Sequence, residues 1–170
     1  MPGPITRHLA EDHARLDALL TRSVLPSGGM DMEAFDGFRA GLLRHIAIEE
    51  KVVFPALREA RGGAPHPDWM RLRIDHGAIT SLLVPTPTAE LVSEIRSILE
   101  PHNAVEEGPA AIYHCCDELP PEQVAGVLER MRAYPQVRVA AYRDGPRVLR
   151  RAADALRVSA MQFDKLGPRR

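Results

Sequence analysis

The sequence predicts an all-α fold, an up-down-up-down four-helix bundle followed by a C-terminal extension. Three observations predict it. Apolar residues recur at three- and four-residue spacing through four long stretches of the first 119 residues. Gly/Pro-rich breaks of a few residues separate those stretches, which favours antiparallel neighbours. A pair of short patterns, DH and HxxxEE, is written twice in the same order.

The first helix is expected over about residues 5–24, where Ile5, Leu9, Leu16, Leu20 and Val24 form a stripe and His13 fills its missing slot. Pro26-Ser27-Gly28-Gly29 ends it. The second is expected unbroken over about residues 31–60, with Phe35, Phe38, Leu42, His45, Glu49, Val52 and Ala56 inward. After the loop from Arg61 to Pro67, the third covers about residues 68–84 and faces Trp69, Leu72, His76, Ile79 and Leu83 to one side. Pro85 and Pro87 close it, and Thr88 caps the fourth. The fourth, over about residues 89–118, carries Val92, Ile95, Leu99, His102, Glu106, Pro109, Tyr113 and Cys116 in one register.

Leu119-Pro120-Pro121 divides the chain into a bundle, residues 1–119, and an extension, residues 120–170, that packs on or beside it. Within the extension, residues 121–134 read as helix, Val137–Tyr142 as a short β segment, Asp144-Gly145 as a turn and 147–161 as helix. Net charge is −1, unevenly spread: residues 1–119 carry 11 Lys+Arg against 18 Asp+Glu, and residues 120–170 carry 11 against 5. The basic extension is a candidate surface for a protein partner or for self-association. It lacks the aromatic interleaving or recognisable module of a nucleic-acid binder.

No apolar run approaches the roughly 18–20 residues that cross a bilayer, and the N-terminus has no hydrophobic signal core. The two cysteines, Cys115 and Cys116, are adjacent and cannot staple distant segments, so a reducing cytoplasm is expected.

The doubled patterns carry the chemistry. Asp12-His13 is echoed by Asp75-His76, and His45-xxx-Glu49-Glu50 by His102-xxx-Glu106-Glu107. Residues four apart on a helix project from nearly one face, so each HxxxE offers an imidazole and a carboxylate to one point in the core. His13 and His76 add one imidazole each. Unpaired ionised groups on core stripes would each cost several kcal/mol, roughly, so a metal is the economical way to hold them.

Imidazole with carboxylate suits iron, manganese or zinc, and six protein ligands are too many for tetrahedral zinc. Two ions bridged by Glu49 and Glu106, each with two histidines, leave about two coordination positions open. That describes a reactive centre.

Along four helices this H, HxxxE, H, HxxxE series closely resembles the hemerythrin-like (HHE cation-binding) family over about residues 5–118. Pro55, in EEKVVFPAL, also resembles the family's pattern. The resemblance implies two oxo- or hydroxo-bridged iron ions, with manganese or zinc as substitutes. It implies His13, His45, Glu49, His76, His102 and Glu106 as ligands, Glu49 and Glu106 bridging.

Oxygen carriers of the family have a fifth histidine one turn from the third-helix histidine. Leu72 and Thr80 stand there. The carriers also place their last acidic ligand five residues after the last histidine, which makes Glu107 the alternative to Glu106. Helical periodicity favours Glu106. Pro101 and Pro109 flank the motif, and a π-bulge or kink near residues 105–109 would turn either carboxylate inward.

The expected function is binding or sensing of oxygen or nitric oxide, or handling of iron or redox stress. Two alternatives stand beside it. One is a di-iron enzyme reducing peroxide or oxygen, although no acid–base pair or nucleophile is legible beyond the ligands. The other is a metal-stabilised interaction module working through the basic extension.

The remaining candidates read as structural. His8 and His114 lie off the ligand stripes, and His66, in a Gly/Pro loop, reads as surface. Tyr113, about 10 Å along the axis from Glu106, reads as core packing, with a hydrogen bond to a ligand as the alternative. Glu50 reads as solvated, and Asp12 and Asp75 as capping or salt-bridging residues.

Overall fold

The structure is a computed structural model that describes residues 1–166. It is all-helical, a bundle with no β-strand among the described residues. The helices are α1 (Pro4–Arg22), α2 (Met32–Ile48), α3 (Phe54–Ala60), α4 (Trp69–Leu82), α5 (Ala89–Glu107), α6 (Ile112–Asp117), α7 (Pro121–Ala133) and α8 (Ala152–Leu166).

Helix α1 opens on Gly3 and Pro4 without a capping side chain of its own. Asp117, at the end of α6, supplies the cap: its carboxylate accepts from the Ile5 amide at 2.7 Å and the Thr6 amide at 3.2 Å. A carboxylate there also meets the positive end of the helix dipole. Gly3 makes the approach feasible, because a Cβ at that position would collide with the Asp117 side chain. Two other helices are capped locally. Asp31 accepts from the Ala34 amide at 3.0 Å to start α2, and Thr88 accepts from the Leu91 amide at 3.2 Å to start α5.

The expected second helix is not uniform. Between α2 and α3 the chain runs through a π-helical turn, Glu49–Val53, in which the Phe54 amide reaches back to the Glu49 carbonyl. Pro55 explains the location, since it has no amide to continue the α-helical ladder. The π-turn therefore lies in the first HxxxEE segment; of the π-bulge or kink expected near residues 105–109, the structure shows a break of the helix.

The second HxxxEE segment ends a helix instead. Pro101 stays inside α5 on its exposed side, but α5 stops at Glu107, before Pro109. Gly108 is extended at ψ 167 and Ala110 takes φ 60, after which α6 restarts the chain in a new direction. The single helix expected over residues 89–118 is thus two.

In the extension, the segment Val137–Tyr142 pairs with no strand among the described residues. A side chain of α2 takes one of its carbonyls, Arg39 donating to Ala140 at 2.9 Å, and just before the segment Arg44 donates to Tyr134 at 2.8 Å. Arg39 also lies over the Tyr142 ring. Helix α8 begins at Ala152, later than residue 147, where the Glu94 carboxylate accepts from the Ala152 amide at 2.7 Å. It then packs along α4, and Ser159 donates to the Ile74 carbonyl across Gly77, where a larger residue would obstruct it.

Two apolar clusters divide the interior. One gathers Leu16, Leu20, Phe38, Leu42, Ile79 and Ile95; the other gathers Leu9, Ile48, Phe54, Leu72, Ile112 and Met131. The stripes of α1, α2 and α4 each pass from one cluster to the other through a histidine, at His13, His45 and His76, and α5 brings His102 to the same level. Hydrophobic periodicity thus places a polar layer between two dry ones.

Candidate metal centre

All six residues marked by the doubled motif are buried and meet in this layer. Glu49 and Glu106 are 0% exposed, and His13, His45, His76 and His102 are between 2% and 8% exposed. Glu49, His76, His102 and Glu106 bring ligand atoms within 4.8 Å of one another, as do His13, His45 and Glu49. Glu49 belongs to both groups.

Every histidine uses its Nε2 inward. His45 Nε2 lies 3.5 Å from Glu49 Oε1, His76 Nε2 3.2 Å from Glu49 Oε2, His102 Nε2 3.2 Å from Glu106 Oε1, and His13 Nε2 3.6 Å from Glu106 Oε2.

Every Nδ1, in turn, faces a second carboxylate outside the cluster. His45 meets Asp12 at 2.9 Å, His102 meets Asp75 at 3.2 Å, His76 meets Glu50 at 2.9 Å and His13 meets Glu107 at 2.6 Å. An imidazole that donates from Nδ1 presents its Nε2 lone pair to the centre, the tautomer that metal ligation requires.

The four outer acids obey one rule in both halves. The aspartate of DH holds the histidine of the following HxxxE; the last glutamate of HxxxEE holds the DH histidine of the other half. Sequence reasoning placed Glu50 in solvent and gave Asp12 and Asp75 only generic roles. The available signal was that EE and DH, and not merely E and H, are repeated. For the Glu106/Glu107 alternative, the geometry turns Glu106 to the centre and Glu107 to the back of His13. Arg73 braces Glu50 at 2.8 Å, and Arg15 braces Asp12 at 2.7 Å.

Tyr113 takes the alternative reading, a hydrogen bond to ligand residues, rather than core packing alone. The break after α5 folds α6 back, so its hydroxyl contacts Glu49 Oε1 and lies 3.0 Å from Glu106 Oε2. It is also 3.4 Å from both His13 Nε2 and His45 Nε2. A straight helix would have kept it far from Glu106.

His66 is buried rather than at the surface, and its Nδ1 accepts from the Asp68 amide at 3.3 Å. His8 and His114 stand apart from the cluster, His114 half-exposed beside Glu118. Both cysteines are free, and burial pushes the Cys116 thiol up to about 12, which makes it a poor nucleophile.

The electrostatics of the metal-free cluster follow from this geometry. Burial opposes protonation of His45, but the Glu49 carboxylate and the Asp12 hydrogen bond outweigh it and raise His45 to about 10. Burial acts likewise on His102, and Glu106 with Asp75 raise it to about 10. Burial would raise Glu49, yet the neighbouring His45 and His76 hold it well below the usual carboxylate range. Burial and the Glu106 and Glu49 charges push the Tyr113 phenol well above its ordinary value. The layer therefore demands positive charge, as protons or as a cation.

The donor set fits a cation better than protons. Glu49 Oε2, His76 Nε2 and Glu106 Oε1 are buried without a hydrogen-bond partner among the described residues. Buried polar atoms seldom go unsatisfied, and these three point at one another. No helix among the described residues is long and apolar enough to cross a membrane.

Comparison with known proteins agrees with the geometry. The sequence matches the model of the hemerythrin HHE cation binding domain over residues 5–110. No curated protein and no solved structure gives a significant match. With that match across more than half of its length, the chain belongs to the hemerythrin HHE cation-binding domain family, and its buried His/Glu layer makes it a metal-binding helical protein.

Proposed function

We propose that this protein is a non-haem di-iron protein that binds or senses oxygen or nitric oxide, or handles iron under redox stress. The up-down-up-down order of α1, α2, α4 and α5 belongs to the same reading, with residues 1–119 holding the centre and the described residues of the extension, 120–166, packed against it. The observation that carries it is the convergence of four imidazole Nε2 atoms on two fully buried carboxylates.

In this reading His13, His45, His76 and His102 are terminal ligands, and Glu49 and Glu106 bridge. Bound iron supplies reversible one-electron chemistry and open coordination positions for a small ligand. The residues do the rest. Asp12, Asp75, Glu50 and Glu107 lock the four rings. Phe54, stacked 5.9 Å from His76, and fully buried Leu72 keep water from that flank.

Leu72 and Thr80 stand one turn either side of His76, where oxygen carriers have a fifth histidine, which supports sensing or redox handling over transport. A cleft of about 480 Å³ between α1, α2 and α5, lined by Leu20, Phe38, Leu42 and Arg96, ends at His13 and Glu107 and offers a route inward. A second reading, for which this same route would admit the substrate, is an enzyme that reduces peroxide or oxygen.

Protein produced in iron-replete cells should carry about two irons per chain and the near-ultraviolet absorption of an oxo- or hydroxo-bridged ferric pair. Well below one metal per folded chain would overturn the proposal. Peroxide turnover that disappears in His45→Ala would favour the enzyme.

A further inference from the structure

Tyr113 lies beyond residue 110, where the family match ends, and nothing in the HxxxE spacing requires it. Yet it is among the largest fully buried side chains, and its hydroxyl sits inside the ligand cluster. A buried tyrosine that serves packing alone sends its hydroxyl to one ordinary hydrogen-bond partner. Here the neighbours are Glu49 Oε1, Glu106 Oε2, His13 Nε2 and His45 Nε2.

The spacing is that of a donor. Ligands at right angles on one ion, each about 2.1 Å from it, stand about 3 Å apart. The phenol oxygen is 3.0 Å from Glu106 Oε2 and 3.4 Å from each of the two histidine nitrogens. Its single hydrogen can satisfy only one of the two carboxylate oxygens at a time, so the other is left facing the lone pairs of the phenol. A shared cation resolves that conflict for all of them.

The backbone is arranged to deliver this oxygen. Ala110 adopts φ 60, a left-handed conformation unfavourable for alanine, at the turn that redirects α6. Ile112 and Cys116, both buried, then anchor the short helix on either side of Tyr113.

We propose that Tyr113 is a metal ligand, its phenolate oxygen binding the ion held between His13 and His45. The inference rests on the dinuclear reading above. It makes the two ions unequal. The His13/His45 ion gains an aromatic oxygen donor that the His76/His102 ion lacks. On binding, the phenol O–H bond breaks, its proton goes to the buffer, and an oxygen–iron bond forms.

The test uses the full chain stripped of metal, reloaded with ferrous iron and oxidised by ferricyanide, which takes one electron from each iron. The expected result is a visible phenolate-to-ferric charge-transfer band with tyrosinate ring modes in resonance Raman. Both should vanish in Tyr113→Phe while iron remains bound. A wild-type ferric protein with about two irons and no phenolate signature overturns this inference alone. A folded chain that holds well below one iron overturns the dinuclear reading, and this inference with it. The wild-type spectrum decides the matter even if Tyr113→Phe does not fold.

Discussion

Asp12 Oδ2 lies 2.9 Å from His45 Nδ1, so a residue on α1 orients an imidazole on α2. The aspartate next to His13 does not serve His13 at all. It fixes which nitrogen of its neighbour's ring faces the buried carboxylates, and Asp75 repeats this for His102.

Removing this orientation should weaken metal binding without dismantling the fold. Asp12→Ala and Asp75→Ala are each expected to lower metal affinity about 10–100-fold, the usual range for partners of ligating histidines. Competition against a calibrated chelator, with circular dichroism as the check on folding, measures it. An unchanged affinity in both variants would show that the rings are held by packing alone.

The two members of each EE pair should separate cleanly. Glu106→Gln removes a fully buried carboxylate and is expected to abolish stoichiometric metal binding. Glu107→Gln only loosens His13, so metal remains bound with affinity reduced about 10-fold or more. Metal analysis of the two purified variants distinguishes them, and the reverse order would make Glu107 the ligand.

Metal-free protein should lose stability as the solution becomes alkaline. His45 and His102 are raised from 6.5 to about 10 in the folded chain. Their contribution is complete below the unfolded value and disappears as pH rises through about 10. Thermal melts of chelator-treated protein should therefore fall in midpoint between about pH 6.5 and 10, with metal-loaded protein much less affected. Metal affinity should rise over the same interval, because binding displaces those protons. A flat melting profile for the stripped chain would contradict the assignment.

At the other end of α1 the expected effect is structural only. Asp117→Ala removes the cap on the Ile5 and Thr6 amides and should cost about 1 kcal/mol. For a chain of this size that lowers the melting midpoint by about 2–4 °C. Iron content should not change, and a variant that loses metal would mean that α6 transmits the disturbance to Tyr113.

What the sequence disclosed, and what it hid, follows from how far each signal reaches. Three- and four-residue periodicity marks a helix and its inward face, so the four bundle helices and the burial of His13, His45, His76 and His102 were legible. Periodicity assumes a straight axis, however. It carried Tyr113 along an imagined extension of α5, when Pro109 and Ala110 break that axis and bring its hydroxyl back to Glu106. It likewise ran evenly through Glu49–Val53, where Pro55 accompanies a π-turn and Glu50 reaches His76. Contacts between helices have no period at all, so Asp12–His45 and Glu107–His13 were visible only as unexplained repetition. The β segment failed for a related reason: Val137–Tyr142 has strand-like composition, but it finds no partner strand among the described residues, and Arg39 of α2 takes the Ala140 carbonyl.

The crossing of Glu50 and Glu107 has a consequence for the order in which the chain is made. When the first hairpin has been synthesised, Asp12 can already steady His45, but His13 still lacks its partner at the far end of α5. His76 meets the older Glu50 as soon as α4 emerges, whereas Glu106 and Glu107 arrive only with the last turn of α5. A nascent chain thus has half a centre, with one ring unsteadied and one of its buried acids missing. Tight metal capture is consequently a property acquired late, once the second hairpin has closed on the first, and an unfinished chain offers a passing ion no completed site.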